Sequence, residues 1–137
     1  MRCLIDTCIL VFFTQDVLDA GTTDILSDYS NTIYVSSVSV MEFAHLIQSG
    51  RLRCKRPIKV TSVIQTIEEE LGFHVDYVSK EHFKTFFQLP FFDNHTDPND
   101  RLIISQAITE KITLISTDTK FSQYKPFGLD FIKASHH

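Results

Sequence analysis

Short runs of β-branched and aliphatic residues alternate with stretches of helical periodicity along the whole chain, which constrains the fold more than any other feature. Arg2 to Ile5 reads as a short buried strand, and Cys8 to Phe13 as a buried turn of helix. A helix near Thr22 to Tyr29 precedes a second strand, Thr32 to Ser36. The next helix opens at Ser39 and runs through Glu42, Leu46 and Ile47 to Gly50. Pro57 suits the first turn of another helix, in which Val60, Val63, Ile64, Ile67 and Leu71 recur at helical spacing before Gly72. Phe73 to Val78 alternates as a third strand. Ser79 or Lys80 starts a helix with Phe83, Phe86 and Phe87 on one stripe. Pro98 opens the most apolar helix, carrying Leu102, Ile103, Ile104, Ala107 and Ile108. Ile112 to Ser116, a helical turn at Phe121 to Tyr124, and a fifth strand near Leu129 to Ile132 follow. The pattern predicts an α/β fold with a mostly parallel five-stranded sheet flanked by helices on both faces.

With 137 residues and no repeat, linker or low-complexity tract, residues 1–137 are expected to form a single domain around one core. His136 and His137 read as a tag remnant and are set aside. Cys3, Cys8 and Cys54 are an odd count at spacings unlike a zinc site, and no apolar signal core follows a basic N-terminus. Both observations point to a reducing cytoplasm. The longest apolar run, Cys8 to Phe13, falls far short of the roughly 18 residues of a membrane span.

Four acidic residues sit where predicted strands meet predicted helices: Asp6, Glu42, Asp100 and Asp118. Three of them have a purely structural reading. Ser39-x-x-Glu42 matches a capping box, Asp97 or Thr96 can cap the helix at Pro98 with Asp100 in its first turn, and Asp118 can cap the turn after it. Asp6 has none, because it follows one hydrophobic stretch and precedes another. A doubly covered parallel sheet brings strand ends and first helical turns toward one edge, where ligands bind. Four carboxylates converging there repel one another and call for a hard divalent cation, Mg2+ or Mn2+. Such an ion serves phosphodiester hydrolysis by activating water and stabilising charge on the attacking and leaving oxygens.

The order Leu-Ile-Asp-Thr at 4–7, Val-Ser-Ser-Val-Ser-Val-Met-Glu from 35, Asp-Pro-Asn-Asp-Arg-Leu-Ile-Ile-Ser-Gln-Ala from 97 and Leu-Ile-Ser-Thr-Asp from 114 resembles the PIN-domain ribonucleases. Within them it is most similar to the VapC-type toxins of type II toxin–antitoxin pairs. The resemblance spans nearly the whole chain. It implies a PIN-like fold, Mg2+ or Mn2+, RNA cleavage, a homodimer and inhibition by a small cognate antitoxin. It implies further that Asp6, Glu42, Asp100 and Asp118 bind the metal, with Thr7 and Thr117 in support and Asp97 as a secondary candidate. Where close relatives often read His-His-x-Asp-Pro-Phe-Asp-Arg, this chain has Asn94-His95-Thr96-Asp97-Pro98-Asn99-Asp100-Arg101, a departure at Asn99 that bears on packing rather than on the acids.

The net charge of −4 conceals an asymmetry: Arg51, Arg53, Lys55, Arg56 and Lys59 lie in a segment without acids, while the rest carries eight basic against 17 acidic residues, a net −9. That segment is either a solvated loop or a contact for RNA backbone. Arg101 either holds a phosphate or pairs with a neighbouring carboxylate, the second being the commoner arrangement. His95 either reaches the cleft as an acid or a substrate contact or, as is commoner for a His in a polar loop, does neither. The phenylalanines of the 83–92 region belong to core or a dimer face rather than to base stacking. Three further readings stand beside the toxin: a PIN-type nuclease of RNA maturation or decay without an antitoxin, a catalytically inactive PIN-like binding module, and a metal-dependent phosphatase. The last lacks an acid-x-acid nucleophile pattern, having Asp6-Thr7-Cys8 after the first strand.

Overall fold

The computed structural model describes residues 1–137. Five strands, β1 (Arg2–Ile5), β2 (Thr32–Ser36), β3 (His74–Asp76), β4 (Thr113–Ser116) and β5 (Phe131–Lys133), form one sheet in the order β3-β2-β1-β4-β5, and every pairing is parallel. The chain builds outward from β1 through β2 to β3, then returns to the other side of β1 for β4 and β5. The strand order thus reverses between β1 and β4, and a crevice opens at their carboxyl ends, the usual ligand position in such sheets. Asp6 stands at that crevice, its amide 3.4 Å from the Ile115 carbonyl.

The central strands β1 and β4 are buried on both faces, as the middle of a parallel sheet requires, while the edge strands β3 and β5 are only partly covered. Alternation divides β1 between two cores: Cys3 and Ile5 join Ile9, Leu10, Val35, Phe43 and Ile67 on one face, and Leu4 joins Ile103, Ile104, Leu114, Phe121 and Tyr124 on the other. Helices α1 (Thr7–Gln15), α2 (Ala20–Ser27), α3 (Ser37–Gln48), α4 (Val63–Gln65), α5 (Lys80–Gln88) and α6 (Pro98–Glu110) supply the layers, with a 3-10 helix at Thr119–Phe127 before β5. No helix is long and apolar enough to cross a membrane.

Three local expectations need correction. First, α3 opens at Ser37 and not at Ser39, because β2 passes directly into it and Ser36 caps it, its hydroxyl oxygen accepting from the Val38 amide at 3.1 Å. Ser39 is therefore the third residue of the helix and buried, so Ser39 and Glu42 form no capping box. Second, the stretch expected as one helix from Pro57 to Leu71 is a 3-10 turn (Val60–Ser62), the short α4 and a π-helical turn (Thr66–Glu70), and Pro57 lies outside it. Third, pairing in β3 is confined to three residues opposite Tyr34 to Ser36, shorter than the expected Phe73 to Val78.

Candidate functional site

Because α1 begins immediately after β1, Asp6 is the cap residue of that helix, a role the sequence had not suggested. Its Oδ1 accepts from the Ile9 amide at 3.0 Å and its Oδ2 from the Ser116 hydroxyl at 2.5 Å, and only 4% of the residue is exposed. Ser116 ends β4 and also accepts, at 3.0 Å, from the amide of Asp118, which caps the following 3-10 helix through the Lys120 amide at 2.9 Å. One serine thus ties two of the four acids together.

Glu42 lies on the second turn of α3, where no capping duty competes for it. Its Oε1 accepts from Thr7 Oγ1 at 2.6 Å, and Thr7 Oγ1 is itself 3.0 Å from Ser39 Oγ; its Oε2 accepts from Asn99 Nδ2 at 3.4 Å. Asp100 is in the first turn of α6, capped by Asp97 through the Asn99 amide at 2.9 Å. Asp97 therefore has the capping role, and Asp100 faces the His95 Nε2 at 3.5 Å.

The carboxylates feel one another. Burial, opposed by the Ser116 and Ile9 hydrogen bonds and reinforced by Asp118 and Glu42, pushes Asp6 up to about 6. Burial followed by Asp97, Asp6, Glu42 and Asp118 pushes Asp100 up to about 7. The Cys8 thiol is pushed up to about 12, first by desolvation and then by Asp6, Asp100, Glu42 and Asp118. No Lys or Arg forms an ion pair with Asp6, Glu42, Asp100 or Asp118, since the lysines and arginines that pair do so with Asp16, Glu70 and Glu81. Oxygen donors concentrated without a resident cation suit a hard divalent ion, and an unpartnered buried nitrogen, His95 Nε2, points the same way. His95, Asp100 and Asp118 offer ligand atoms all within 4.8 Å of one another.

Other sequence candidates separate by position. Thr7 reaches the site, whereas Thr117 makes no side-chain hydrogen bond and Ser116 does that work. Within the basic segment, Lys55 pairs with Asp16 at 3.6 Å and Arg56 with Glu70 at 2.7 Å, while Arg51, Arg53 and Lys59 are exposed and without ion pairs. Of these, Arg51 lines a groove of about 480 Å³ with Thr7, Met41, Glu42, His45, Leu46 and Asn99, so that Glu42 is the site acid it shares. Arg53 and Lys59 do not line it. Arg101 neither pairs with a carboxylate nor stands in solvent. Only 7% exposed, its guanidinium stacks on Phe86 at 4.7 Å and Phe91 at 5.5 Å, and Nη2 lies 3.5 Å from the Pro90 carbonyl. Phe83 and Phe87 are exposed on α5 and stacked at 6.4 Å, so they are not core. The terminal His136 ring stacks on Phe12 at 4.1 Å.

The sequence does not single out Ser116 or Tyr124, gives Asn99 a bearing on packing alone, and favours His95 as a loop residue outside the site. Strand alternation offered a signal for Ser116, which must face opposite to Thr117. His95 gave none: its burial at 4% exposure depends on Phe121 and Tyr124, which meet its ring edge-on at 5.3 and 5.4 Å from a distant segment.

The family model described as PIN domain matches residues 3–125. No curated protein sequence matches. Among solved structures, VapBC2 from Rickettsia felis, bound to a DNA fragment from its promoter, has a chain similar to this one with a TM-score of 0.70 at 20% identity, over 98% of this chain and 100% of that one. VapBC-5 from Mycobacterium tuberculosis, a member of the VapBC family of toxin-antitoxin systems, gives 0.63 at 14% identity, covering 96% and 98%. FitAcB from Neisseria gonorrhoeae gives 0.65 at 14%, covering 96% of each chain.

Proposed function

Since the chain belongs to the PIN-domain family of nucleases, we propose that it is a divalent-metal-dependent endoribonuclease that hydrolyses RNA phosphodiester bonds and serves as the toxin of a toxin–antitoxin pair. The observation that carries this reading is the convergence of Asp6, Glu42, Asp100 and Asp118 with no Lys or Arg ion pair among them. In it, the four acids are the metal-binding and catalytic residues, Thr7 is their support, and Mg2+ or Mn2+ is the cofactor. A bound ion supplies Lewis-acid stabilisation of the phosphodiester and activates water.

The chain's own part is to hold and orient. Ser116 fixes Asp6, leaving Thr7 and Asn99 to fix the two oxygens of Glu42. The groove running from Glu42 to Arg51 gives single-stranded RNA a path, with Arg51 for a phosphate and exposed Met41 as an apolar surface for a base. The exposed Phe83 and Phe87 of α5 are the face for a second copy of the chain. A small antitoxin, the partner in this reading, inhibits by presenting an Arg that pairs with the carboxylates in place of metal. Support for that partner comes from the similarity to VapBC-5.

The test is cleavage of unstructured RNA by metal-stripped protein. Cleavage is expected only after Mg2+ or Mn2+ is added, and none from Asp6→Asn. Undiminished cleavage by that variant, or cleavage in excess chelator, sinks the reading.

A further inference from the structure

His95 is the one buried imidazole with an unused nitrogen, and that nitrogen faces the acids. The other buried histidine, His82, has both ring nitrogens engaged, by the Ser79 amide at 2.9 Å and by Glu110 at 2.8 Å. In His95, Nδ1 is 2.8 Å from the Tyr124 hydroxyl, while Nε2 has no hydrogen-bond partner and lies 3.5 Å from Asp100 Oδ2. An orphaned polar atom in a buried side chain is costly, and a native protein retains one where something unseen satisfies it. Ligand atoms of His95, Asp100 and Asp118 are mutually within 4.8 Å, a spread that one ion's coordination sphere spans.

We propose that His95 is an imidazole ligand of the divalent-metal site, held in place by Tyr124, and that it gives the site a preference for Mn2+ over Mg2+. The proposal rests on the metal-dependent reading above and adds to it a nitrogen ligand, a second-layer residue and a choice of ion. Metal-binding histidines characteristically give their other ring N–H to a hydrogen-bond acceptor, which fixes the tautomer and the ring plane. As a ligand through Nε2, His95 carries its proton on Nδ1, which then donates to the Tyr124 oxygen 2.8 Å away and leaves the Nε2 lone pair to the ion shared with Asp100 and Asp118. The edge-on contacts with Phe121 and Tyr124 lock the ring. Mg2+ favours a shell of oxygen and water, whereas imidazole nitrogen adds affinity for a transition-metal ion.

The experiment titrates the metal-stripped full chain with Mn2+ alone and reads nitrogen hyperfine coupling by pulsed electron paramagnetic resonance, on protein with natural and with 15N-labelled histidine. The expected result is a 14N coupling of directly bound imidazole that changes with the label, persists in His45→Gln and disappears in His95→Gln. Calorimetry should show His95→Gln losing about tenfold or more in Mn2+ affinity, with Mg2+ affinity little changed, and Tyr124→Phe losing less. Bound Mn2+ without histidine coupling overturns this inference and leaves the nuclease reading intact. A chain that binds no Mn2+ overturns both. Should His95→Gln fail to fold, the labelled wild-type and His45→Gln proteins still decide: coupling that His45→Gln abolishes belongs to His45 and overturns the proposal.

Discussion

The Ser116 hydroxyl donates to Asp6 Oδ2 at 2.5 Å, joining the carboxyl ends of two neighbouring parallel strands at the point where strand order reverses. This hydrogen bond holds Asp6 in place and opposes the burial that raises its pKa. Ser116→Ala should therefore raise the Asp6 pKa above its present value of about 6 and free the carboxylate to rotate. The expected loss is about 10–100-fold in cleavage rate, the usual range for removing a partner of a metal ligand. The acidic limb of the pH–rate profile should also move to higher pH. A slower variant whose profile stays in place would mean that Ser116 acts through packing alone.

Metal-free stability should fall as pH rises through the acid range. Asp6 and Asp100 have folded-state pKa values of about 6 and about 7 against an ordinary 3.8, so the folded protein keeps protons that the unfolded chain has already released. Where the native state binds more protons, stability declines with increasing pH, here from about 4 to about 7, and levels off above. Asp100→Asn should raise the metal-free Tm at pH 7.5 by about 3–6 °C for each ~1 kcal/mol relieved. Mn2+ or Mg2+ should raise the wild-type Tm and move the variant little. A wild-type Tm independent of both pH and metal would contradict the clustering of the acids.

Glu42→Gln separates charge from structure, because Glu42 caps nothing and Gln keeps an oxygen for Thr7 to reach. The variant should fold with a Tm within a few degrees of wild type and lose cleavage by about 100-fold or more, since a neutral amide gives a cation far less than a carboxylate. Retention of full activity would remove Glu42 from the site.

The ends of β1, β2 and β4 were legible in the sequence because Ile5, Ser36 and Ser116 each close a short β-branched or aliphatic run, with Asp6 directly after the first and Asp118 two residues after the last. The start of α3 was not. Ser36 and Ser39 are both serines ahead of apolar residues, and only pairing with β1 and β3 decides how far β2 extends. Long-range packing hid the rest. Arg101 reads as a surface cation until Phe86 and Phe91 cover it, and His95 reads as a loop residue until Phe121 and Tyr124 enclose it. Ion pairs with Asp16 and Glu70 likewise divide a basic segment that looks uniform in sequence.

That division leads to a graded expectation for RNA binding. Arg51→Glu, beside Glu42 in the groove, should weaken binding to all RNA sequences alike and lower the slope of log affinity against log salt by about 1. Lys55→Glu and Arg56→Glu should change the slope less, because those side chains already face Asp16 and Glu70. Binding measured on catalytically silent Asp6→Asn protein keeps cleavage from obscuring the result. Equal effects at all three positions would return the segment to a diffuse charge effect.

Expression in cells tests the toxin reading apart from the nuclease chemistry. An uninhibited ribonuclease degrades its host's RNA, so wild-type expression should arrest growth and Asp6→Asn should relieve the arrest. Co-expression of a small cognate partner that covers the acids should relieve it too, and the two chains should co-purify. An inhibitory Arg on that partner gains from pairing bidentately with carboxylates that have no internal ion pair with Lys or Arg. Replacing it with Lys should weaken inhibition by more than loss of charge alone accounts for, because the charge is kept and only the forked geometry is lost. Harmless wild-type expression, with metal-dependent cleavage intact in vitro, would retire the toxin and leave a nuclease of RNA maturation or decay.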